Sequence, residues 1–398
     1  MKFHFKGIIP ASKSIMNRAL ICSSYSQKLK IEGSSNCDDV VKMVHAIHQL
    51  KNEPLNLCQE FDCGAAGTVL RFLGLRLSRI PGKHILKGSE RLFQRPQQDL
   101  LDLLSKLGVL YDLSKDRMIL HSEGWKNLSQ PLEVHRNVSS QFASGILLNA
   151  WNLNQDLNLK MIGSPMSEGY LQMTIKLVKA LGMKITFSEN KLVIPAKSQV
   201  EVNSYQAESD LSSLFAVAAF SVLNGEAQFE KFPYPSLQPD IEFLDFFKRM
   251  EIPFLLNENE QVLKIFPVKH FKGLDANLNS CPDLFPVLAV LCAFASTPSK
   301  LFGAPQLIHK ESNRIAKIAD LLNAINVENT PLTDGMIIQP AKKSKPNAQP
   351  FEYDTDHDHR LAFAASLILS QGFPIKIKHP EVVSKSFPEF WQVLGLDC

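Results

Sequence analysis

Eight basic residues of this chain stand where helices are expected to begin, most of them beside serine, threonine or glycine: Lys13, Arg18, Arg71, Arg95, Lys310, Arg314, Arg360 and Lys385. The first two lie in Pro10-Ala11-Ser12-Lys13-Ser14-Ile15-Met16-Asn17-Arg18, where a strand ends at Pro10 and a helix starts near Ser12 or Ser14. Serines there can cap free backbone amides, the amino end of a helix attracts an anion, and Lys13 and Arg18 add full charges about one turn apart. The glycines of a Walker A loop are missing. Cys63-Gly64-Ala65-Ala66-Gly67-Thr68-Val69-Leu70-Arg71 couples small residues, which let a backbone approach a ligand, to a helix opening at Thr68. Val138-Ser139-Ser140-Gln141 offers two hydroxyls and an amide to a phosphate or to sugar hydroxyls. No G-x-S-x-G elbow surrounds Ser140, which argues against a serine hydrolase.

Further along, Arg95 precedes Pro96, so its backbone is held extended and its guanidinium can fork onto a carboxylate or phosphate. Lys310-Glu311-Ser312-Asn313-Arg314 puts Lys310 and Arg314 at i and i+4, on one face of a predicted helix. Glu311 there is a carboxyl that can donate a proton if desolvated. In Asp356-His357-Asp358-His359-Arg360 the histidines at i and i+2 do not face each other on a helix, so a metal site is not expected. Lys385 stands at the mouth of another predicted helix. Taken singly, each segment is also what a capped helix with solvated charges looks like. Taken together, they describe a site for substrates carrying several negative charges, with side-chain cations rather than a metal to neutralise them.

The elements that position these residues recur along the chain. An amphipathic helix ends in a short turn and a strand follows, at Leu100–Leu107 into Val109, at Ile175–Leu181 into Met183, at Phe243–Met250 into Ile252, and at Ile315–Ile325 into Val327. His45–Leu50 reads as a degenerate first copy. Helices alternating with strands throughout imply an α/β protein. At 398 residues, 45% hydrophobic, the chain is too long for one ordinary core, and two domains are expected. A net charge of +3 gives no nucleic-acid or membrane signal. The seven cysteines, odd in number and without a C-x-x-C pair, fit a reduced, cytoplasmic protein. The charged start Met1-Lys2-Phe3-His4-Phe5-Lys6 is unlike a signal peptide, and Val287–Ala295 reads as a buried helix rather than a membrane span. Lys342–Pro350 is expected to be an exposed loop.

In order from Pro10 to Trp391 these segments, together with Pro282-Asp283 and Lys385-Ser386-Phe387-Pro388, resemble the 5-enolpyruvylshikimate-3-phosphate synthases (3-phosphoshikimate 1-carboxyvinyltransferases) of the enolpyruvyl transferase family. The resemblance implies a two-domain inside-out α/β barrel. Each domain would be three βαβαββ repeats with the helices inside, and the active site would lie in the interdomain cleft. It implies domains at 12–207 and at 1–11 plus 208–398, a monomer, no cofactor, no metal, and two small-molecule substrates, shikimate 3-phosphate and phosphoenolpyruvate. Carried over by position, shikimate 3-phosphate would meet Lys13, Ser14, Arg18, Ser139, Ser140, Gln141, Ser167, Tyr170, Asp283, Gln306 and Lys310. Phosphoenolpyruvate would meet Lys13, Gly67, Arg95, Gln141, Arg314, Arg360 and Lys385. Glu311 would act as the acid, and Asp283, helped by Lys13, as the base.

The chain departs from the family's pattern at Ala11, Ala65, Phe72 and Gln306, at Asn313 in place of an acidic residue, and at Ser167-Glu168-Gly169-Tyr170 in place of Ser-Lys-Pro-Tyr. A carboxylate at Glu168 would repel a phosphate if it pointed inward. Two other readings compete. The related UDP-N-acetylglucosamine enolpyruvyl transferase uses a loop cysteine as its acid, and no cysteine here lies in a suitable basic loop. A non-catalytic anion-binding protein on the same fold would be expected to lack the acid–base residues, yet Asp283 and Glu311 are both present.

Overall fold

One unit of secondary structure is repeated along the chain: strand, helix, strand, helix, hairpin. The computed structural model describes residues 2–53, 58–188, 190–341 and 350–397, so the expected loop at Lys342–Pro350 lies almost wholly outside the described residues. Complete copies of the unit have strands Gln59–Asp62, Gly82–Lys87, Leu110–Leu113 and Arg117–Ser122, then Leu132–His135, Leu157–Ile162, Thr186–Ser188 and Lys191–Ile194. Two more have Phe3–Gly7, Gly225–Phe229, Phe254–Asn257 and Val262–Ile265, then Asp275–Asn277, Ser299–Phe302, Asn329–Leu332 and Gly335–Ile338. In each, the first two strands run parallel around a helix, and the hairpin folds back so that its last strand pairs antiparallel with the second. Two shorter copies have only a parallel pair among the described residues: Ser204–Gln206 with Lys30–Glu32, and Phe351–Asp354 with Ile375–Lys378.

The chain clusters into two compact units, Met1–Pro10 with Glu208–Cys398, and Ala11–Ala207. In each, three buried helices pack against one another: Leu211–Asn224, Phe285–Ala293 and His359–Ser370 in the first, and Lys13–Ser23, Gly67–Leu77 and Gln141–Leu148 in the second. Their sequences explain the placement. Phe285–Ala293 is apolar on every side and every residue of it is buried, as a helix without a polar face must be. The outer helices carry a single apolar stripe, such as Leu100, Leu101, Leu103 and Leu104 of Gln98–Lys106. Strands such as Leu157–Ile162 alternate buried and exposed residues, one face toward the helices and one toward solvent.

The four helix-turn-strand steps read in the sequence are the passages from the second helix of a copy to its third strand. Gly108 at φ +84° and Gly182 at φ +113° make two of these turns in the left-handed region that glycine tolerates. Glu251 and Asn326 make the same left-handed step without glycine. The degenerate copy at His45–Leu50 belongs to the helix Asp38–Asn52, and the next described strand, Gln59–Asp62, already opens the following copy.

The strand Gly82–Lys87 holds a fully buried His84. Its Nε2 donates to the Ile80 carbonyl at 3.0 Å, and its Nδ1 is buried without a partner among the described residues. Burial therefore holds the imidazole pKa below its ordinary value. A base depressed in the folded state takes up its proton more readily when unfolded, so this contribution to stability is lost as pH falls through the unfolded value of about 6.5. Urea unfolding of the chain should show falling stability below that pH. In His84→Gln this part of the pH dependence should disappear, and an unchanged profile would contradict the assignment.

Candidate active site

In the unit Ala11–Ala207 the predicted residues gather at the amino ends of its helices. Lys13 and Ser14 open the helix Lys13–Ser23, and Lys13 Nζ lies 3.3 Å from Asp39 Oδ2. Ser12 stands at the N-cap as expected, but its buried hydroxyl makes no capping bond and has no partner among the described residues. Arg18, 1% exposed, donates through Nε to Thr174 Oγ1 at 2.7 Å and through Nη1 to the Ser14 carbonyl at 2.8 Å. Thr174 in turn donates to Ser144 Oγ at 2.9 Å, and it lies one turn beyond Tyr170 on the helix Glu168–Ala180. Arg18 thereby ties together three helices. Burial among neutral partners lowers its pKa to about 10. Phe72, a departure in the sequence, places its ring 5.2 Å from this guanidinium.

Arg71 forms a second buried centre. It donates to Gln97 Oε1 at 3.1 Å, to Gln141 Oε1 at 2.9 Å and to the Pro96 carbonyl at 2.8 Å, and so fixes both Gln141 and the segment carrying Arg95. Its partners are neutral too, and burial, with Arg95 nearby, pushes its pKa well down. The Arg95 backbone is extended, as expected before proline, at φ −67° and ψ 154°. Its guanidinium lies over Gly67, where an added Cβ would come 2.7 Å from Arg95 Nη1. Ser139 Oγ accepts from the Gln141 amide at 3.2 Å, and Ser140 is buried at the start of the same helix. Ser167 is buried at a left-handed φ of 54°, a strained setting for a non-glycine residue. Arg18 and Arg71, buried cations whose hydrogen-bond partners are neutral, favour an anion nearby.

In the other unit the predicted residues converge on two carboxylates. Asp283 sits in a 3-10 turn, Pro282–Leu284, leading into the buried helix Phe285–Ala293. Its Oδ1 accepts from Arg314 Nη1 at 2.8 Å and lies 3.5 Å from Lys310 Nζ, and its Oδ2 accepts from Arg360 Nη2 at 2.9 Å. Burial alone would raise the Asp283 pKa, but Arg360, Lys310 and Arg314 outweigh it and hold the group well below the usual carboxylate range. Glu311 Oε2 accepts from Lys385 Nζ at 2.8 Å and lies 3.2 Å from His359 Nδ1. Gln306 is buried in the 3-10 turn Pro305–His309.

Local structure here differs from the sequence expectation in two places. Lys310 and Arg314 do not share a helix face, because Asn313 caps the helix Arg314–Ala324 by accepting from the Ala316 amide at 3.1 Å, which leaves Lys310 in the preceding loop. Lys385 ends a 3-10 turn, Pro380–Lys385, rather than opening a helix.

The residue missing from the predicted set is Asp358. It is fully buried, accepts from Arg314 Nε at 2.8 Å, Ser312 Oγ at 3.0 Å and the Arg360 amide at 3.1 Å, and is held below its ordinary pKa against the cost of burial chiefly by Arg314. Its signal in the sequence was an acidic residue at the N-cap of an apolar helix. Glu311, Asp358 and His359 bring ligand-type atoms within 4.8 Å of one another, but both carboxylates are already engaged by cationic side chains.

Residues 6–394 match the model of the family described as EPSP synthase (3-phosphoshikimate 1-carboxyvinyltransferase). The chain belongs to the EPSP synthase family. Among its relatives in this family are proteins named 3-phosphoshikimate 1-carboxyvinyltransferase from Methanococcus aeolicus, 29% identical over 98% of this chain and 95% of the relative, and from Bacteroides fragilis, 29% identical over 97% and 93%. An EPSP synthase structure from Acinetobacter baumannii superimposes with a TM-score of 0.77 at 22% identity, covering 99% of this chain and 95% of that one. The enolpyruvyl transferase NikO from Streptomyces tendae superimposes at 0.73 with 14% identity, covering 99% and 94%. These likenesses establish the two-domain inside-out α/β architecture of EPSP synthases for this chain. No helix among the described residues is long and apolar enough to cross a membrane.

Proposed function

We propose that the chain transfers the enolpyruvyl group of phosphoenolpyruvate to the 5-hydroxyl of shikimate 3-phosphate and releases phosphate. The observation that carries this reading is the pair Asp283 and Glu311, two carboxylates held by cations that an anionic substrate can take over. Family membership supplies the substrate pair. On this reading 12–207 and 1–11 with 208–398 are the two domains. The chain would work as a monomer in the cytoplasm, in keeping with its six described cysteines being free thiols.

Shikimate 3-phosphate is assigned to Lys13, Ser14, Arg18, Ser139, Ser140, Gln141, Ser167, Tyr170, Asp283, Gln306 and Lys310, and phosphoenolpyruvate to Lys13, Gly67, Arg95, Gln141, Arg314, Arg360 and Lys385. Glu311 gives a proton to the methylene carbon of phosphoenolpyruvate. Asp283, with Lys13 close to the oxygen, takes the proton of the 5-hydroxyl as that oxygen bonds to the neighbouring carbon. The adduct then loses a methyl proton and phosphate, which restores the double bond. Held by Arg360, Lys310 and Arg314, Asp283 is a weaker base in the structure than a free carboxylate. When Arg314 and Arg360 turn from Asp283 to phosphoenolpyruvate, its pKa climbs, so binding of phosphoenolpyruvate makes Asp283 a stronger base.

The reaction run in D2O tests the chemistry. Mass spectrometry should find deuterium in the methylene of the enolpyruvyl product, because the acid adds a solvent-derived proton to that carbon. Product formed without label would rule out protonation there. Arg95→Ala should raise KM for phosphoenolpyruvate by about tenfold or more, the scale of a charge-assisted contact, and leave KM for shikimate 3-phosphate within about threefold. Equal weakening of both substrates would contradict the assignment of Arg95.

A further inference from the structure

Glu168 poses a problem that the fold answers. It begins the helix Glu168–Ala180 directly after Ser167, between Ser167 and Tyr170, which are assigned above to shikimate 3-phosphate. A carboxylate there opposes a phosphate monoester. The parallel strands Leu132–His135 and Leu157–Ile162 end side by side at this point, and Arg136 is the first residue beyond the former. The Arg136 backbone joins the two strand ends, donating to the Ile162 carbonyl at 3.0 Å and accepting from the Met166 amide at 3.2 Å. Its side chain crosses the end of the sheet, 7% exposed, with Nη2 donating to the Gly163 carbonyl at 3.3 Å and to Asn190 Oδ1 at 3.0 Å. Gly163, at φ +82°, packs directly against Asn137, the residue after Arg136, where a Cβ would stand 1.8 Å from Asn137 Oδ1.

Arg136 Nη1 lies 3.6 Å from Glu168 Oε2, while Glu168 Oε1 accepts from Gln172 Nε2 at 2.9 Å. Arg136 Nε is buried without a hydrogen-bond partner among the described residues. We propose that Arg136 is a specificity-determining positioning residue that neutralises Glu168 and ties it back, so that a phosphate monoester can enter beside Ser139, Ser140 and Ser167. The inference rests on the assignment of shikimate 3-phosphate to these serines.

A double-mutant cycle with steady-state kinetics tests it. Arg136→Ala should raise KM for shikimate 3-phosphate about tenfold, within the usual range for coupled neighbours, and leave KM for phosphoenolpyruvate unchanged. Adding Glu168→Gln should bring KM for shikimate 3-phosphate back to about the wild-type value, because both charges are then gone. A double variant as weak as Arg136→Ala would overturn charge compensation. If Arg136→Ala does not fold, Glu168→Gln alone decides: with Arg136 left unopposed, KM for shikimate 3-phosphate should fall, and an unchanged KM would overturn the proposal. The wild-type control separates the two claims. Wild type that makes product while the variants keep their KM values defeats this inference alone. Wild type that makes no product defeats the transferase reading, and the inference with it.

Discussion

Glu311→Gln is expected to lower kcat by about a hundred- to ten-thousand-fold, the range that general acid–base catalysis contributes, with the fold retained. The amide has the size of the carboxyl, and its oxygen can still accept from Lys385 Nζ, which stands 2.8 Å from Glu311 Oε2. What it lacks is a proton to give to carbon. Because the contacts assigned to the two substrates are untouched, both KM values should stay within about threefold, so that the loss falls on the chemical step. The effect is read by steady-state kinetics beside a circular dichroism spectrum of each protein. Near-normal turnover would remove Glu311 as the acid and leave Lys385 or His359 as the groups to test.

Asp358→Ala should cost stability rather than one chemical step. The carboxylate is fully buried and is the main partner of Arg314, itself 2% exposed. Removing one partner of a buried pair leaves the other charge stranded, at a cost of about 3–5 kcal/mol. Arg314 also donates to Asp283, so the stranded guanidinium would pull on the proposed base, and activity should fall with stability. Asp358→Asn keeps the shape and one acceptor and should cost less. Urea unfolding compares the three proteins, and a loss below about 1 kcal/mol in Asp358→Ala would mean that Asp283 alone can hold Arg314.

The parts of the fold that were legible from sequence are those where a strong pattern met a strong turn signal. Gly108 and Gly182 punctuate the outer helices, and Phe285–Ala293 is too apolar to lie anywhere but inside. The strand Ser204–Gln206 was hidden in a polar stretch, because three residues are too few to show alternation. At the site, residue types and order were visible, since helix starts carry local signals. The spatial partners were not. Nothing near Arg314 in sequence announces Asp358, 44 positions on, and nothing near Glu168 announces Arg136 across the sheet. The helix face expected for Lys310 and Arg314 failed on a local detail, the Asn313 cap, which starts the helix later than charge spacing alone implies. The same Asn313 replaces an acidic residue of the family pattern and keeps its capping capacity.

The central claim is that this chain joins two substrates, and phosphate release tests it most directly. The purified protein is incubated with shikimate 3-phosphate and phosphoenolpyruvate together, and with each alone, without added metal. Release of phosphate that requires both substrates, and that Glu311→Gln abolishes, is the predicted result. Release from phosphoenolpyruvate alone, or none from a folded protein that still binds shikimate 3-phosphate, would contradict enolpyruvyl transfer and leave an anion-binding protein on this fold.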